Sequence, residues 1–460
     1  MGGQFLAARS VAIALAMLGL GVLVYALLGE PDLIRDREDR LRGSYNLILV
    51  TIDTLRADHL GAYGYSRNTS PVIDGLAEEA VLFENAIVPV AFTGPSHASM
   101  LTGLYPSGHG VLTNGYRLAA TKLTLAEALR GKGYQTAAFV AARAILGRGA
   151  GFDQGFEVFD EGKSRKRRAD EITSQAVRWL QERADSGNFF LWVHYYDIHC
   201  DYYAPEPFFE MFDVGYTGAI DPKAKCGKPH YNKMELSEED LTYIRALYDG
   251  EIRYVDQHIG VLLRQVEELG LKQKTLLILT SDHGESLGER GVIGHNLALH
   301  DYEIRAPLII RHPALEGSHQ RIRQQVELVS LMPTIFDLLE VSHDAALAGE
   351  SFAPLLVGKE SAHRFAYTQM GPVKGREPSY SLRGEDWKLL LHPDAREELY
   401  PLDHGGEATN LADERPELAA SMKAVLQRWI EAQGEAPAAL TEEISQETKR
   451  ELEELGYIEE

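Results

Sequence analysis

The sequence is poor in cysteine: its 460 residues include only Cys200 and Cys226. A disulfide between these two thiols is compatible with an exported domain, but their spacing alone predicts neither a pairing nor a compartment. Internal sequence repeats are also lacking. The length allows two domains, or one large domain with an appendage.

Basic residues are in deficit as well. The chain has 46 lysines and arginines against 68 acidic residues, which gives a formal net charge of −22. Non-specific nucleic-acid binding depends on basic side chains that contact phosphates, so this balance argues against a nucleic-acid partner. It does not exclude an anionic substrate, because a bound metal ion can reverse the field locally.

Long apolar runs are confined to the N-terminus, where residues 11–28 reach the length of a membrane span. One basic residue, Arg9, precedes this run, and no clear small-x-small cleavage site follows it. We therefore predict an uncleaved signal anchor, with a cleaved signal peptide as the alternative. By the positive-inside rule, four arginines beyond the run would draw that side toward the cytoplasm. They are Arg35, Arg37, Arg40 and Arg42.

Three apolar, strand-like segments end in polar residues. They are residues 46–58 with Asp53, residues 189–199 with His199, and residues 275–285 with Asp282 and His283. In open α/β sheets, ligands bind beyond the carboxyl ends of the strands. A single aspartate at a strand end is usually a helix cap, but three such ends together indicate a shared site.

Residues 92–106 have the pattern of a loop that turns into a helix. Gly94 and Pro95 interrupt the preceding segment, and Pro95 suits a first helical turn, where a missing N–H costs little. Thr93 would then lie at the positive end of that helix, where backbone N–H groups favour an anion. Taken alone, this pattern is more typical of a capped surface helix, and it gains meaning only beside the three strand ends.

Together these segments resemble the sulfatase family of the alkaline phosphatase superfamily, from about Asn46 to Ile430. Each shared motif alone is weak evidence for this resemblance, whereas the complete set of motifs in the family's order is specific. The motifs are Gly-Ala-Tyr-Gly-Tyr at 61–65, Ser70-Pro71, the segment from Thr93 to Pro106, Ser281-Asp282-His283-Gly284-Glu285 with Gly288-Glu289, Gly294-His295-Asn296, and the segment from Arg305 to Ile310.

The resemblance implies a metal centre. Asp53, Asp282 and His283 correspond to the family's metal ligands. Carboxylate oxygens suit Ca²⁺, Mg²⁺ or Mn²⁺, and the imidazole also admits Mn²⁺ or Zn²⁺. We expect one divalent ion, because no other spacing of histidines and acids matches a two-metal motif.

The resemblance also implies catalytic roles. Thr93 occupies the nucleophile position, and His97 could position it or act as its base. His199 corresponds to a histidine that protonates the leaving group, and His295 falls where the family has a Lys or His that touches the transferred group. Four further polar residues are candidates for supporting these groups: His194, Asp197, Asp201 and His300.

The departures from the family pattern bear on the chemistry. Sulfatases proper convert the Cys or Ser of Cys-x-Pro-Ser-Arg to formylglycine; here Thr93 and His97 replace the Cys and the Arg, and threonine cannot make formylglycine. A sulfated threonine has no aldehyde hydrate whose collapse releases sulfate, whereas a phosphorylated threonine can be hydrolysed or can transfer its phosphoryl group to an alcohol. Thr54 stands where many sulfatases have a second Asp.

The resemblance further implies an α/β fold, with an alkaline-phosphatase-like mixed sheet flanked by helices and a smaller C-terminal α+β subdomain. Helical spacing over 241–269 predicts a long helix, and short strands are predicted at 380–383, 387–391 and 398–403, before a helix over 415–431. The predicted divisions are an N-terminal anchor or signal segment and linker at 1–43, a catalytic domain at 44–345, the subdomain at 346–432 and an acidic helical tail at 433–460.

These observations predict a metal-dependent hydrolase of the sulfatase family, acting on a sulfate ester or a phosphate or phosphonate ester through a threonine nucleophile. The alternatives are a phosphoryl or phospho-head-group transferase and a non-catalytic binding protein on the same fold. The expected partner is an anionic ester. The family resemblance implies a membrane-anchored protein whose catalytic domain lies outside the cytoplasm, whereas the arginines after the apolar run favour the opposite orientation. The sequence does not indicate an oligomeric state.

Overall fold

The structure is a computed structural model that describes most of the chain. The described residues are 37–164, 166–183, 186–213, 215–221, 234–295, 299–360, 365–371, 377–402 and 407–434, with Thr448, Arg450 and Leu452. The apolar run at 11–28, Cys226, Asn296 and nearly all of the predicted tail lie outside them. Within the described ranges, none of the helices has the length and apolarity needed to cross a membrane.

A large mixed sheet forms the centre of the described chain. Its strands are β1 (Asn46–Ile52), β2 (Val81–Ile87), β3 (Gln135–Val140), β4 (Val158–Asp160), β5 (Phe189–Tyr195), β6 (Thr275–Ser281), β9 (Arg305–Arg311), β10 (Gln320–Ile322) and β11 (Val326–Glu327); a separate short hairpin pairs β7 (Ser286–Leu287) with β8 (Ile293–Gly294). The strand order is β10-β2-β9-β6-β1-β5-β3-β4, with β11 beside β2. Strand β9 runs antiparallel to β2 and β6, which makes the sheet mixed, as predicted.

The three strands predicted to carry the site are neighbours. Strand β1 lies between β5 and β6 and is parallel to both. Every residue of these strands is buried, because their apolar, β-branched runs are covered on both faces. Ile52 is paired with Tyr195 on one side and with Ser281 on the other, so the strands end level with one another. The polar residues that follow them therefore emerge at one edge.

Helices surround this sheet, except for the last one, which packs on the C-terminal sheet described below. They are α1 (Pro71–Glu78), α2 (Thr93–Thr102), α3 (Pro106–His109), α4 (Leu125–Gly131), α5 (Arg143–Leu146), α6 (Ala169–Arg183), α7 (Glu238–Glu268), α8 (Asp301–Ile304), α9 (Leu331–Leu338) and α10 (Pro416–Gln433). Helix α7 is the long helix predicted from its apolar spacing, and a capping box between Ser237 and Asp240 sets its start. All ten residues of α2 are buried, so this helix is part of the core rather than a surface helix.

A small antiparallel sheet forms the C-terminal subdomain, as predicted. Its strands, in order, are β12 (Ala366–Met370), β13 (Ser379–Arg383), β14 (Trp387–Leu391) and β15 (Glu397–Pro401). Helix α10 covers one face and shares a separate apolar core with the strands, built from Leu382, Leu389, Leu399, Ala419, Met422 and Leu426. Buried Lys388 ties the subdomain to the larger one through Asp301 at 2.9 Å, and it pairs within the subdomain with Glu407 at 2.6 Å. The limits 346–432 stay a prediction.

Candidate active site

Three predicted metal ligands meet where the central strands end. Asp53 follows β1, and Asp282 and His283 follow β6. One ligand atom from each lies within 4.8 Å of the others, and all three side chains are fully buried. They form the one such group of histidines, cysteines and acids found among the described residues.

The donor atoms of this cluster fit a divalent cation. Oδ1 of Asp282 accepts the N–H groups of Thr54 and His283, while Oδ2 of Asp282 and both oxygens of Asp53 are buried without a hydrogen bond of ordinary geometry. His283 donates Nδ1–H to the carbonyl of Gly284 at 2.9 Å, which leaves its Nε2 as a lone pair 3.5 Å from Oδ2 of Asp282. Buried carboxylate oxygens without donors are costly unless a cation compensates them.

The electrostatics of the cluster lead to the same conclusion. Burial, followed by the negative charges of Asp282 and Glu285, raises the pKa of Asp53 well above its ordinary value, although the hydroxyl of Thr93 opposes this shift. Burial also lowers the pKa of His283 to about 4, so its imidazole is neutral near pH 7. Like charges held close together in a dry site favour binding of a positive ion.

Thr93 is the first residue of α2 and faces this cluster. Its hydroxyl oxygen lies 3.5 Å from Nε2 of His283, and the residue is fully buried. The next N–H, that of Gly94, donates to Oδ1 of Asn114 at 2.8 Å, and the amide nitrogen of Asn114 is buried without a hydrogen bond. The sequence reasoning missed Asn114, because Asn114-Gly115 has the composition of an ordinary turn.

His97 lies one turn further along α2 and is buried. Its Nδ1 lies 2.8 Å from the carbonyl oxygen of Thr93 and its Nε2 lies 3.1 Å from Oγ1 of Thr51, so both ring nitrogens are paired away from the hydroxyl of Thr93. Nδ1 also lies 3.6 Å from Oδ2 of Asp282. Burial lowers the pKa of His97. This geometry suits a residue that positions the start of α2 better than it suits a base.

Two further histidines complete the site on the side of β5. His199 stacks on Tyr196 at 4.4 Å and bonds the carbonyl of Cys200 through Nδ1 at 2.9 Å. The ring of His295 lies 4.9 Å from that of His199 and 4.6 Å from that of His283. Burial, and next the charge of His295, lowers the pKa of His199 well below its ordinary value.

The supporting candidates divide into two groups. His194 reaches the site, with Nε2 lying 3.6 Å from Oδ2 of Asp53, and Asp201 is half-buried on the turn that carries His199. Asp197 instead accepts the N–H of Ala169 at the start of α6. His300 bonds Glu407 at 3.0 Å and so belongs to the contact with the C-terminal subdomain.

Thr54 adds a local peculiarity beside the metal cluster. Its φ is 54°, which is rare for a β-branched residue, and its hydroxyl is buried without a hydrogen bond. The phenol of Tyr248 holds this conformation, since it donates to the carbonyl of Thr54 and accepts the N–H of Arg56. This backbone strain lies beside the metal cluster, and the contacts with Tyr248 sustain it.

The chain matches known proteins over most of its length. The family model described as Sulfatase matches residues 45–341, and the model described as N-sulphoglucosamine sulphohydrolase, C-terminal, matches residues 288–433. An ulvan-active sulfatase of Formosa agariphila is 25% identical, over 79% of this chain and 75% of its own length. The multifunctional alkaline phosphatase superfamily protein PehA of Trinickia caryophylli is 26% identical, over 69% of this chain and 78% of its own.

Solved structures share the fold. A phosphonate monoester hydrolase of Agrobacterium radiobacter superposes with a TM-score of 0.72 at 22% identity, over 88% of this chain and 98% of that one. The fold and the family matches define a hydrolase of sulfuric or phosphoric esters. The chain belongs to the sulfatase family.

Proposed function

We propose that the chain is a metal-dependent hydrolase of phosphate or phosphonate esters with Thr93 as its nucleophile. The observation that carries this proposal is the hydroxyl of Thr93, which lies 3.5 Å from Nε2 of His283 at the start of a buried helix, where no thiol is present to become formylglycine. The relative PehA, whose name describes it as multifunctional, supports a site that is not restricted to sulfate. Sulfate ester hydrolysis is the second candidate, favoured by the ulvan-active sulfatase.

Asp53, Asp282 and His283 would hold the metal ion, which would supply Lewis acidity and neutralise charge on the ester. The chain's own groups then divide the work. The hydroxyl oxygen of Thr93 attacks phosphorus while its proton passes to solvent, and the bond from phosphorus to the ester oxygen breaks. His199 enters this step as the imidazolium, a form that burial disfavours and an anionic ester favours, and it gives its Nε2 proton to the departing oxygen. Water then attacks phosphorus, the bond from phosphorus to Oγ1 of Thr93 breaks, and phosphate or phosphonate leaves as Oγ1 regains a proton from solvent.

The test combines substitutions of Thr93 with a panel of 4-nitrophenyl esters: sulfate, phosphate monoester, phosphate diester and phosphonate monoester, each with Ca²⁺, Mg²⁺, Mn²⁺ and Zn²⁺. Thr93→Val keeps the shape of the side chain without the hydroxyl and should lower kcat/KM on the order of 10³-fold or more. Thr93→Ser should retain measurable activity. Rapid quenching of the wild type should trap a phosphorylated Thr93.

Wild-type activity in Thr93→Val would contradict the assignment of the nucleophile. Turnover of the sulfate ester alone would instead favour the second candidate. Rapid quenching with an alcohol present also tests transfer, because a transferase would yield the new ester in place of free phosphate.

We also propose that residues 11–28 anchor the protein, with the catalytic domain outside the cytoplasm. Family resemblance supports this side of the membrane. A C-terminal reporter fusion that is active only outside the cytoplasm tests the orientation, and an inactive, fully expressed fusion would reverse it.

A further inference from the structure

We propose that Glu285 is a positioning residue that fixes two histidines of the site: His295 directly, and the turn that carries His199 through Tyr202. The proposal rests on the ester hydrolysis proposed above. It assigns a role to a buried acid that belongs neither to the metal cluster nor to the groups expected to touch the substrate.

Each oxygen of Glu285 holds a different part of the site. Oε1 accepts Nδ1–H of His295 at 2.9 Å, and Oε2 accepts the hydroxyl of Tyr202. The residue is fully buried, and the guanidinium of Arg56 fixes its backbone by donating to its carbonyl at 3.0 Å. A buried carboxylate is costly unless its oxygens are hydrogen-bonded, so these two donors determine where it can lie.

The contact with His295 sets how that imidazole faces the site. With Nδ1 bonded to Glu285, Nε2 is the ring atom left to face the histidines around it. The ring centroids of His199 and His283 lie 4.9 and 4.6 Å from that of His295. A carboxylate behind an imidazole fixes both its tautomer and its ring angle, which is the usual effect of such outer partners.

The contact with Tyr202 sets the turn after β5. Tyr202 follows His199 by three residues, is buried, and packs edge-on against Tyr248 at 5.6 Å. Lys166 supports the same turn by donating to the carbonyl of His199 at 3.0 Å. The backbone of Tyr203, the next residue, is held separately by Glu251 and Arg168. Loss of the contact between Tyr202 and Glu285 would therefore remove the side-chain anchor of the turn and let it shift without unfolding.

The two contacts predict separable kinetic effects. His295 is expected to touch the transferred group, so disturbing it should slow all esters alike. His199 is expected to protonate the departing oxygen, so disturbing its turn should slow esters of poor leaving groups most. A carboxylate with a purely structural role would change stability without either pattern.

The experiment measures kcat and KM over a series of aryl and alkyl phosphate or phosphonate esters. Glu285→Gln should lower kcat about 10- to 100-fold for every ester, with KM little changed. In a His295→Ala background, Glu285→Gln should lower kcat for activated esters by less than about twofold, because the two residues act through one contact. Tyr202→Phe should steepen the dependence on leaving-group pKa, in the same direction as His199→Ala.

A matched control comes from Tyr65, whose hydroxyl donates to the buried carboxylate of Asp249 at 2.7 Å. Tyr65→Phe removes an equivalent bond and should leave the leaving-group dependence unchanged. Elemental analysis should find wild-type metal content in Glu285→Gln and in Tyr202→Phe.

Three results would overturn the proposal. They are an undiminished effect of Glu285→Gln in the His295→Ala background, an unchanged leaving-group dependence in Tyr202→Phe, and loss of metal from Glu285→Gln. Each would be seen in an enzyme that still requires Thr93, so failure of this proposal is distinguishable from failure of the proposed function.

Discussion

The family resemblance places His97 where an arginine is expected, which bears on the charge next to Thr93, the proposed nucleophile. Arginine stays protonated in proteins, whereas His97 is buried with a lowered pKa and is therefore neutral near pH 7. A positive charge close to Thr93 must then come from other sources. The start of α2 supplies a partial one, and an ion held by Asp53, Asp282 and His283 would supply the larger part.

Some of the residues that the sequence placed in the site directly follow a buried strand or begin a helix. Asp53, Asp282 and Thr93 are of this kind, and the structure brings them together. Asn114 and Tyr202 were not recognised, because their partners lie across the fold, at Gly94 and Glu285. Local composition does not carry such pairings.

At the level of elements, the strands that the sequence predicted best are those buried on both faces. Strands β1, β5 and β6 are largely apolar because they are buried on both faces, and their starts coincide with those of the predicted segments, which extend beyond the strand ends. Their order was not predicted, nor was the antiparallel direction of β9, since both depend on pairings between distant segments.

The basic run at 163–168 shows how local charge can mislead. It has the composition of a solvated loop or a helix start. Arg167 is nevertheless buried, and it bonds Asp160 and Glu171, while Lys166 and Arg168 donate to carbonyls of the turn after β5. The run is thus partly structural, and it borders the active site.

Strand β11 carries a buried acid that makes stability depend on pH. Burial raises the pKa of Glu327 to about 7. Its Oε1 accepts the hydroxyl of Tyr105 at 2.8 Å and the N–H of Tyr367 at 2.9 Å, so it joins the larger domain to β12. The pKa of a glutamate in the unfolded chain is about 4.3, so the folded state holds the proton more tightly. The free energy of unfolding should therefore fall as pH rises from about 4.3 to about 7, and it should level off at higher pH.

Glu327→Gln should remove this loss, since its amide oxygen can accept both hydrogen bonds and does not ionise. The variant should match the wild type near pH 5 and exceed it at pH 8 by up to about 3 kcal/mol in free energy of unfolding. Urea titrations at both pH values provide the measurement. Parallel pH dependence in the two proteins would show that Glu327 is not the group responsible.

At the scale of the whole molecule, acidic residues outnumber basic ones over the chain in general, and buried acids also converge at one local cluster. The net charge of −22 gives any divalent cation many weak contacts on the surface. The cluster of Asp53, Asp282 and His283 differs from that background because it is buried and its donor atoms converge. A stabilising effect of metal on the protein is therefore informative only where it depends on this cluster.

Divalent ions should stabilise the wild type through this cluster, by about 2.7 kcal/mol at an ion concentration 100 times Kd. Asp53→Asn should remove most of that response to metal. In the presence of a chelator, however, the variant should unfold at a higher temperature than the wild type. The reason is that it removes a carboxylate whose ionised form is disfavoured by burial and by its acidic neighbours. Thermal unfolding with and without Ca²⁺, Mg²⁺, Mn²⁺ or Zn²⁺ at constant ionic strength provides the measurement. Asp256→Asn, which alters a buried acid that accepts the N–H groups of Val72 and Ile73, should keep the wild-type response to metal. An equal rise in melting temperature in Asp53→Asn would place the stabilising ion outside the predicted site.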